Sequence, residues 1–248
     1  MVKVKNNKGI CFSGGGAFFF YFLGIASVIQ DQCDIRFIDF CGSSAGALTA
    51  FILALDINID NFFYNKLLPI LEQLDIMDKH VTDVIIDNIR KIFKDTDLTK
   101  LNNQLHIIIT QLDPVGDVFS KSLNTWVDND DLFQALVTSC FIPFIIGSRF
   151  ANVYQGNYCF DGGIALKGKK KPYECVDEAY KKKGKKKKKW LYISTSTFFD
   201  VIPNIVVTAS ALGLMLFINN RNVVENLYKL GKKHAAENLN FFEDIKKK

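Results

Sequence analysis

The pentapeptide Gly42-Ser43-Ser44-Ala45-Gly46 restricts this chain to folds in which a strand passes through a tight turn into a helix. Ahead of it, Ile35 to Phe40 is β-branched and aromatic; behind it, Ala45 to Leu55 is a run of good helix formers, apolar nearly all round. A serine at the apex of such a turn leaves no room for side chains two residues before and after it. Gly42 and Gly46 therefore read as relief from a backbone clash, and Ser44 as a hydroxyl projected over the end of a sheet. The following helix begins with unpaired N–H groups and a partial positive charge, which favours negative charge developing beside the serine. The pattern alone fits an ordinary strand–helix packing point as well as a nucleophile, so Ser44 needs partners from elsewhere in the chain.

A second glycine-rich turn lies upstream. Gly9 to Phe12 reads as a short buried strand entering Ser13-Gly14-Gly15-Gly16 and then a helix from Ala17. Consecutive glycines let backbone N–H groups turn towards one point, and the helix N-terminus behind them adds its dipole, so the loop suits an anion or an oxyanion. A dinucleotide loop would place a third glycine where Phe19 stands, and a P-loop would end in Gly-Lys-Ser/Thr, which is absent. An oxyanion hole on Gly14, Gly15 and Gly16 is the better fit.

The histidines offer little to such a serine. His106 falls within the strand-like Leu105 to Thr110, His80 beside a helix start, and His234 in a charged amphipathic tail. A carboxylate in a poorly solvated cleft can serve as the base instead, because desolvation raises its basicity. Asp161 is the best candidate. It follows the strand-like Asn157 to Phe160 and precedes Gly162-Gly163, which permit a tight turn off a strand end, although Asp-Gly-Gly alone reads equally as a plain turn.

Together these blocks resemble the patatin-like phospholipase family, and within it the branch that includes adipose triglyceride lipase. Phe12-Ser13-Gly14-Gly15-Gly16 is similar to the family's oxyanion loop, Gly42-Ser43-Ser44-Ala45-Gly46 to its elbow, and Asp161-Gly162-Gly163 to its aspartate turn. Thr138-Ser139-Cys140-Phe141-Ile142-Pro143 resembles a segment that precedes that aspartate. The resemblance, over roughly residues 8–166, implies a hydrolase of lipid acyl esters with Ser44 as nucleophile, Asp161 as base, an acyl-enzyme intermediate and no cofactor. Two positions depart from the family: Ala17-Phe18-Phe19 follows the glycines, and Ile164-Ala165-Leu166-Lys167 stands where an Asn-x-Pro segment is usual. A catalytically silent lipid- or membrane-binding relative and an esterase for small soluble esters are the competing readings.

With 248 residues, 48% of them hydrophobic, the chain can bury a sizeable core as one domain. Alternating strand-like and helix-like segments predict a three-layer α/β/α sandwich with a mainly parallel central sheet. Strands are expected at 9–12, 35–41, 105–111, 157–160 and 190–195, and helices near 17–30, 45–55, 60–74, 82–94, 131–139 and 205–243. Residues 8–166 form the expected core, 167–189 an exposed lysine-rich loop, and 190–248 a strand and helices completing the same domain.

The net charge of +5 is unevenly placed: residues 167–189 carry twelve lysines against Glu174, Asp177 and Glu178, so the rest of the chain is net acidic. The lysines read either as a solvated loop or as attraction to anionic lipid headgroups. Aromatic residues are not interleaved with them, so no nucleic-acid partner is expected. Ile202 to Ile218 holds roughly 14 good apolar residues against the ~20 needed to cross a bilayer, and reads as a core or interfacial helix. No secretory signal is recognised before the glycine loop interrupts the first apolar stretch. The expectation is a cytosolic protein attached peripherally to a membrane or lipid-droplet surface. The six cysteines show no Cys-x-x-Cys spacing, so no metal site is expected, and Cys41 lies on the wrong side of the elbow to replace Ser44.

Overall fold

The apolar runs around both glycine turns pair as neighbouring strands. A computed structural model of the chain describes residues 7–72, 81–144, 149–166, 170–198 and 221–247. In it β1 (Lys8–Phe12), β2 (Asp39–Ser43) and β3 (Leu105–Leu112) lie side by side and parallel, and β7 (Lys189–Ile193) runs parallel to β1 on its other edge. Parallel neighbours need helical crossovers. These are α1 (Phe19–Gln32) between β1 and β2, then α2 (Ala45–Ala54), α3 (Ile59–Phe62), α4 (Leu68–Leu71) and α5 (Val81–Ile92) between β2 and β3. Antiparallel strands close the far side: β4 (Val118–Leu123) on β3, and β5 (Asn152–Tyr154) paired with β6 (Asn157–Phe160). Followed from one hydrogen-bonded neighbour to the next, the strands run β5-β6-β3-β2-β1-β7, with β4 also on β3. α6 (Asn129–Ser139) links β4 to β5, and α8 (Arg221–Glu237) packs on α1.

Side-chain alternation sorts the two faces of this sheet. Ile10, Phe12, Phe40, Ile107 and Ile109 join the main core with α1, α2 and α6. Cys11, Cys41 and Ile108 face the other way, onto Cys175, Val176 and Tyr180 of α7 (Pro172–Lys182). The chain thus has a three-layer α/β/α arrangement with a mixed, mostly parallel sheet.

That second layer corrects the reading of 167–189 as an exposed loop. Pro172 opens α7, its buried positions recur at helical spacing, and the lysines occupy its solvent side. Lys188 departs further from an exposed run. Its side chain is 7% exposed, and its Nζ lies 3.0 Å from Oδ2 of the fully buried Asp39. The Tyr180 hydroxyl donates to the same oxygen at 2.7 Å and lies 3.0 Å from His106 Nε2. Burial pushes the Asp39 carboxyl up, but His106, Tyr180 and the Lys188 ammonium outweigh it and hold it below its ordinary value. Asp39→Ala is expected to cost about 3–5 kcal/mol, because it removes the buried carboxylate on which Lys188, Tyr180 and His106 converge; urea denaturation of the two proteins reads the difference.

Other boundaries differ for local reasons. β2 begins at Asp39 rather than 35, because Arg36 forks onto the Asp34 carboxylate with two bonds of 2.9 Å in the turn ahead of it. β4 has a half-exposed polar pattern, and β5 has three residues, so neither carries a strand signal. The helix expected over 60–74 is broken into α3, a π-turn at Phe63–Leu67, and α4. His80, Lys167 and the Ile202 to Ile218 segment lie outside the described residues. No helix among the described residues is long and apolar enough to cross a membrane.

The ladders on β3 position the site. β4 occupies one edge of β3 from Ile107 to Leu112, so β2 and β6 must share the other edge. β2 ends with Ser43 level with Ile108, and β6, running the opposite way, ends with Phe160 level with Thr110. The residues that follow, Ser44 and Asp161, therefore leave the sheet at the same point.

Candidate active site

Ser44 alone forms the turn between β2 and α2, with φ 53° and ψ −129°. For a residue with a Cβ this left-handed backbone costs about 1–3 kcal/mol and must be imposed by packing. The packing is visible at both glycines. A Cβ on Gly42 would stand 2.2 Å from the Gly46 carbonyl oxygen, and one on Gly46 2.3 Å from that of Ser13. Gly46→Ala is accordingly expected to destabilise the fold by about 2 kcal/mol or more, seen as a lowered Tm, because both neighbours are backbone and cannot rotate away.

Ser139, at the end of α6, ties the elbow to the aspartate turn. Its Oγ accepts from the Ser44 N–H at 2.9 Å and donates to the Ile108 carbonyl at 2.7 Å. Its own carbonyl accepts from Gly162 N–H at 3.0 Å, and Asp161 N–H donates to the Phe141 carbonyl. Thr110 Oγ1 donates to the Asp161 carbonyl at 2.8 Å and accepts from Ala165 N–H at 3.0 Å.

The Asp161 side chain is buried, with the residue 6% exposed. Oδ1 accepts from Gly163 N–H at 2.7 Å, whereas buried Oδ2 has no closed hydrogen bond among the described residues. Burial raises the carboxyl to about 6, with the Ser44 hydroxyl and the Gly163 N–H restraining the rise. The glycine loop is held by Ser13, whose N–H donates to the Ile193 carbonyl at 2.9 Å and whose Oγ donates to the Gly14 carbonyl at 2.9 Å. Gly14 packs on the elbow, since a Cβ there would stand 3.5 Å from Ser44 Cβ. The N–H groups of Gly14 and Gly15 donate to no described residue.

Gly14, Gly15, Gly16, Ser44, Asp161 and Gly163 line one cavity of about 420 Å³. Gly42, Gly46 and Gly162 lie behind it as close packing contacts. The histidines are elsewhere: His106 is buried beside Asp39 and Tyr180, and His234 Nδ1 is 3.0 Å from the Tyr21 hydroxyl. A hollow of about 920 Å³ at the start of β1 is lined by Lys8, Asp34, Arg36 and the chain's last residues, with neither serine nor glycine loop. Among the described residues no His, Cys, Asp and Glu cluster could hold a metal ion, and the six cysteines are buried thiols.

Sequence reasoning missed the positioning roles of Ser139 and Thr110, for which the one available signal was a polar side chain inside an apolar run. It also missed Lys170, Lys171 and Tyr192, which form a wall of the same cavity. Chemically, the cavity offers a hydroxyl on a forced turn, a desolvated carboxyl beside it, and free N–H donors opposite a helix N-terminus.

The chain matches the patatin-like phospholipase family model over residues 10–167, more than half its length. No curated protein matches it.

Proposed function

Since the chain belongs to the patatin-like phospholipase family, a family of lipid acyl hydrolases, we propose that it hydrolyses acyl esters of lipids through a Ser44–Asp161 dyad. The observation that carries this reading is the meeting of Ser44, a buried carboxyl raised to about 6, and the glycine loop in one cavity. Asp161 takes the hydroxyl proton as Ser44 Oγ attacks the ester carbonyl carbon. Negative charge gathers on the carbonyl oxygen, where N–H groups around Gly14, Gly15 and Gly16 and the start of α2 stabilise it. The tetrahedral species collapses, the alcohol leaves with the proton from Asp161, and an acyl-enzyme remains. Water, deprotonated by Asp161, then attacks the acyl carbon, and the fatty acid is released as Ser44 recovers its proton.

The proposed place of action is a lipid surface approached from the cytosol. Supporting it are Phe144, Phe150 and Ile164, exposed side chains close in sequence to the cavity residues Ile142 and Asp161, together with the exposed lysines at 181–183 and 185–187. The affinity with the adipose triglyceride lipase branch belongs to the same reading and rests on the quoted motifs.

The test is fatty-acid release from vesicles carrying both phospholipid and triacylglycerol. Release by the wild-type protein that disappears with Ser44→Ala supports the dyad, and the lipid consumed names the substrate class. Vesicle binding without release would leave a silent binding relative.

A further inference from the structure

One wall of the Ser44 cavity has no part in the proposed hydrolysis. It is made by the start of α7 and by β7, and it carries Lys170, Lys171 and Tyr192. The two lysines are differently engaged. Lys170 Nζ lies 2.7 Å from the Glu178 carboxylate, a closed pair. Lys171 Nζ rests instead 5.0 Å from the centre of the Tyr192 ring and 5.9 Å from that of Tyr173. No carboxylate among the described residues lies within ion-pair distance of it. Glu174, the acidic residue of the first turn of α7, accepts from the Lys171 backbone N–H.

An ammonium parked on aromatic rings keeps its full charge and is only weakly held. As a point charge on a flexible stem it can turn to an oxyanion in the cavity, where a charge-assisted hydrogen bond is the stronger contact. A lipid with its ester carbonyl at Ser44 must place its headgroup within reach of some wall of the same 420 Å³ space. Lys171 is the lysine on that wall without a carboxylate partner.

We propose that Lys171 forms a headgroup subsite, binding the phosphate of an anionic glycerophospholipid whose acyl ester lies at Ser44. It thereby selects phospholipid over neutral acylglycerol. The inference rests on the hydrolase reading above, and its test separates the two.

The probes are dihexanoyl phosphatidylglycerol and dihexanoylglycerol, used as monomers so that vesicle attraction plays no part, with inorganic phosphate as a third ligand. Binding is measured by titration calorimetry on Ser44→Ala with and without Lys171→Ala; KM is measured on the active protein, with p-nitrophenyl butyrate as a neutral ester. Lys171→Ala should weaken phosphatidylglycerol binding and raise its KM about tenfold, leaving dihexanoylglycerol and the nitrophenyl ester unchanged. Lys171→Arg should restore most of the loss, and Lys186→Ala, in the exposed run, should cause none. Equal effects on charged and neutral probes, or none on either, would overturn the subsite. So would inorganic phosphate binding as tightly as the lipid, which would mark a site for free phosphate. Wild type that hydrolyses no ester overturns the hydrolase reading, while the binding comparison still decides the role of Lys171.

Discussion

Ser44→Ala is expected to reduce acyl-ester hydrolysis by about 10⁴-fold or more, with the fold unchanged. The size of the loss follows from the absence of a substitute. The neighbouring Ser43 Oγ is buried, and the Ser13 Oγ is spent on the Gly14 carbonyl. Cys41 faces α7 on the other side of the sheet, and burial first, then Cys11, pushes its thiol well above its ordinary value, which disfavours the thiolate. The fold should tolerate the change, because the Ser44 side chain makes no capping bond and alanine meets the same backbone demand at φ 53°. Hydrolysis of p-nitrophenyl butyrate and of a phospholipid, with near-ultraviolet circular dichroism as the fold control, makes the comparison. Activity above one hundredth of wild type in a folded variant would sink the assignment of Ser44 as nucleophile.

Asp161→Asn should separate activity from stability. The amide cannot take the Ser44 proton, so hydrolysis is expected to fall by about 10³-fold or more. Stability should move the other way. Burial raises the Asp161 carboxyl from 3.8 to about 6 in the folded protein, so the folded state binds this proton more tightly than the unfolded chain. The resulting contribution is fully present below about pH 3.8 and is lost as pH rises through about 6. At pH 8 the ionised, buried carboxylate costs the fold about 3 kcal/mol. Asparagine keeps an acceptor for the Gly163 N–H and carries no charge. Asp161→Asn is therefore expected to raise Tm by several degrees at pH 8 and by nothing below about pH 4. The same titration gives wild-type kcat/KM an acid limb, with activity rising through about pH 6 as the base ionises. A flat profile between pH 5 and 8, or equal Tm values at pH 8, would contradict the buried-base role.

What could be read from the chain beforehand followed range of interaction. The glycine turns sit between segments whose strand or helix character is encoded within about a dozen neighbouring residues, so β1, α1, α2 and the elbow were legible. α7 was not, because the lysine runs on either side of it dominate the composition of 167–189 while four apolar positions decide its burial. Lys188 could not be told from its neighbours in the run, since nothing local marks the lysine that reaches Asp39. β4 and β5 exist because β3 and β6 offer them edges, and their own residues carry little preference.

The sequence by itself determined an α/β chain with a serine on a forced turn, a glycine loop ahead of it, and an aspartate at a strand end, because each is a matter of backbone sterics among adjacent residues. Only the tertiary structure decided that the serine and the aspartate meet. β2 and β6 share one edge of β3 and end against each other there, a choice of hydrogen-bond partners between distant segments that no local periodicity encodes. The same convergence removes Asp161 from water, and that burial raises a common carboxylate to about 6.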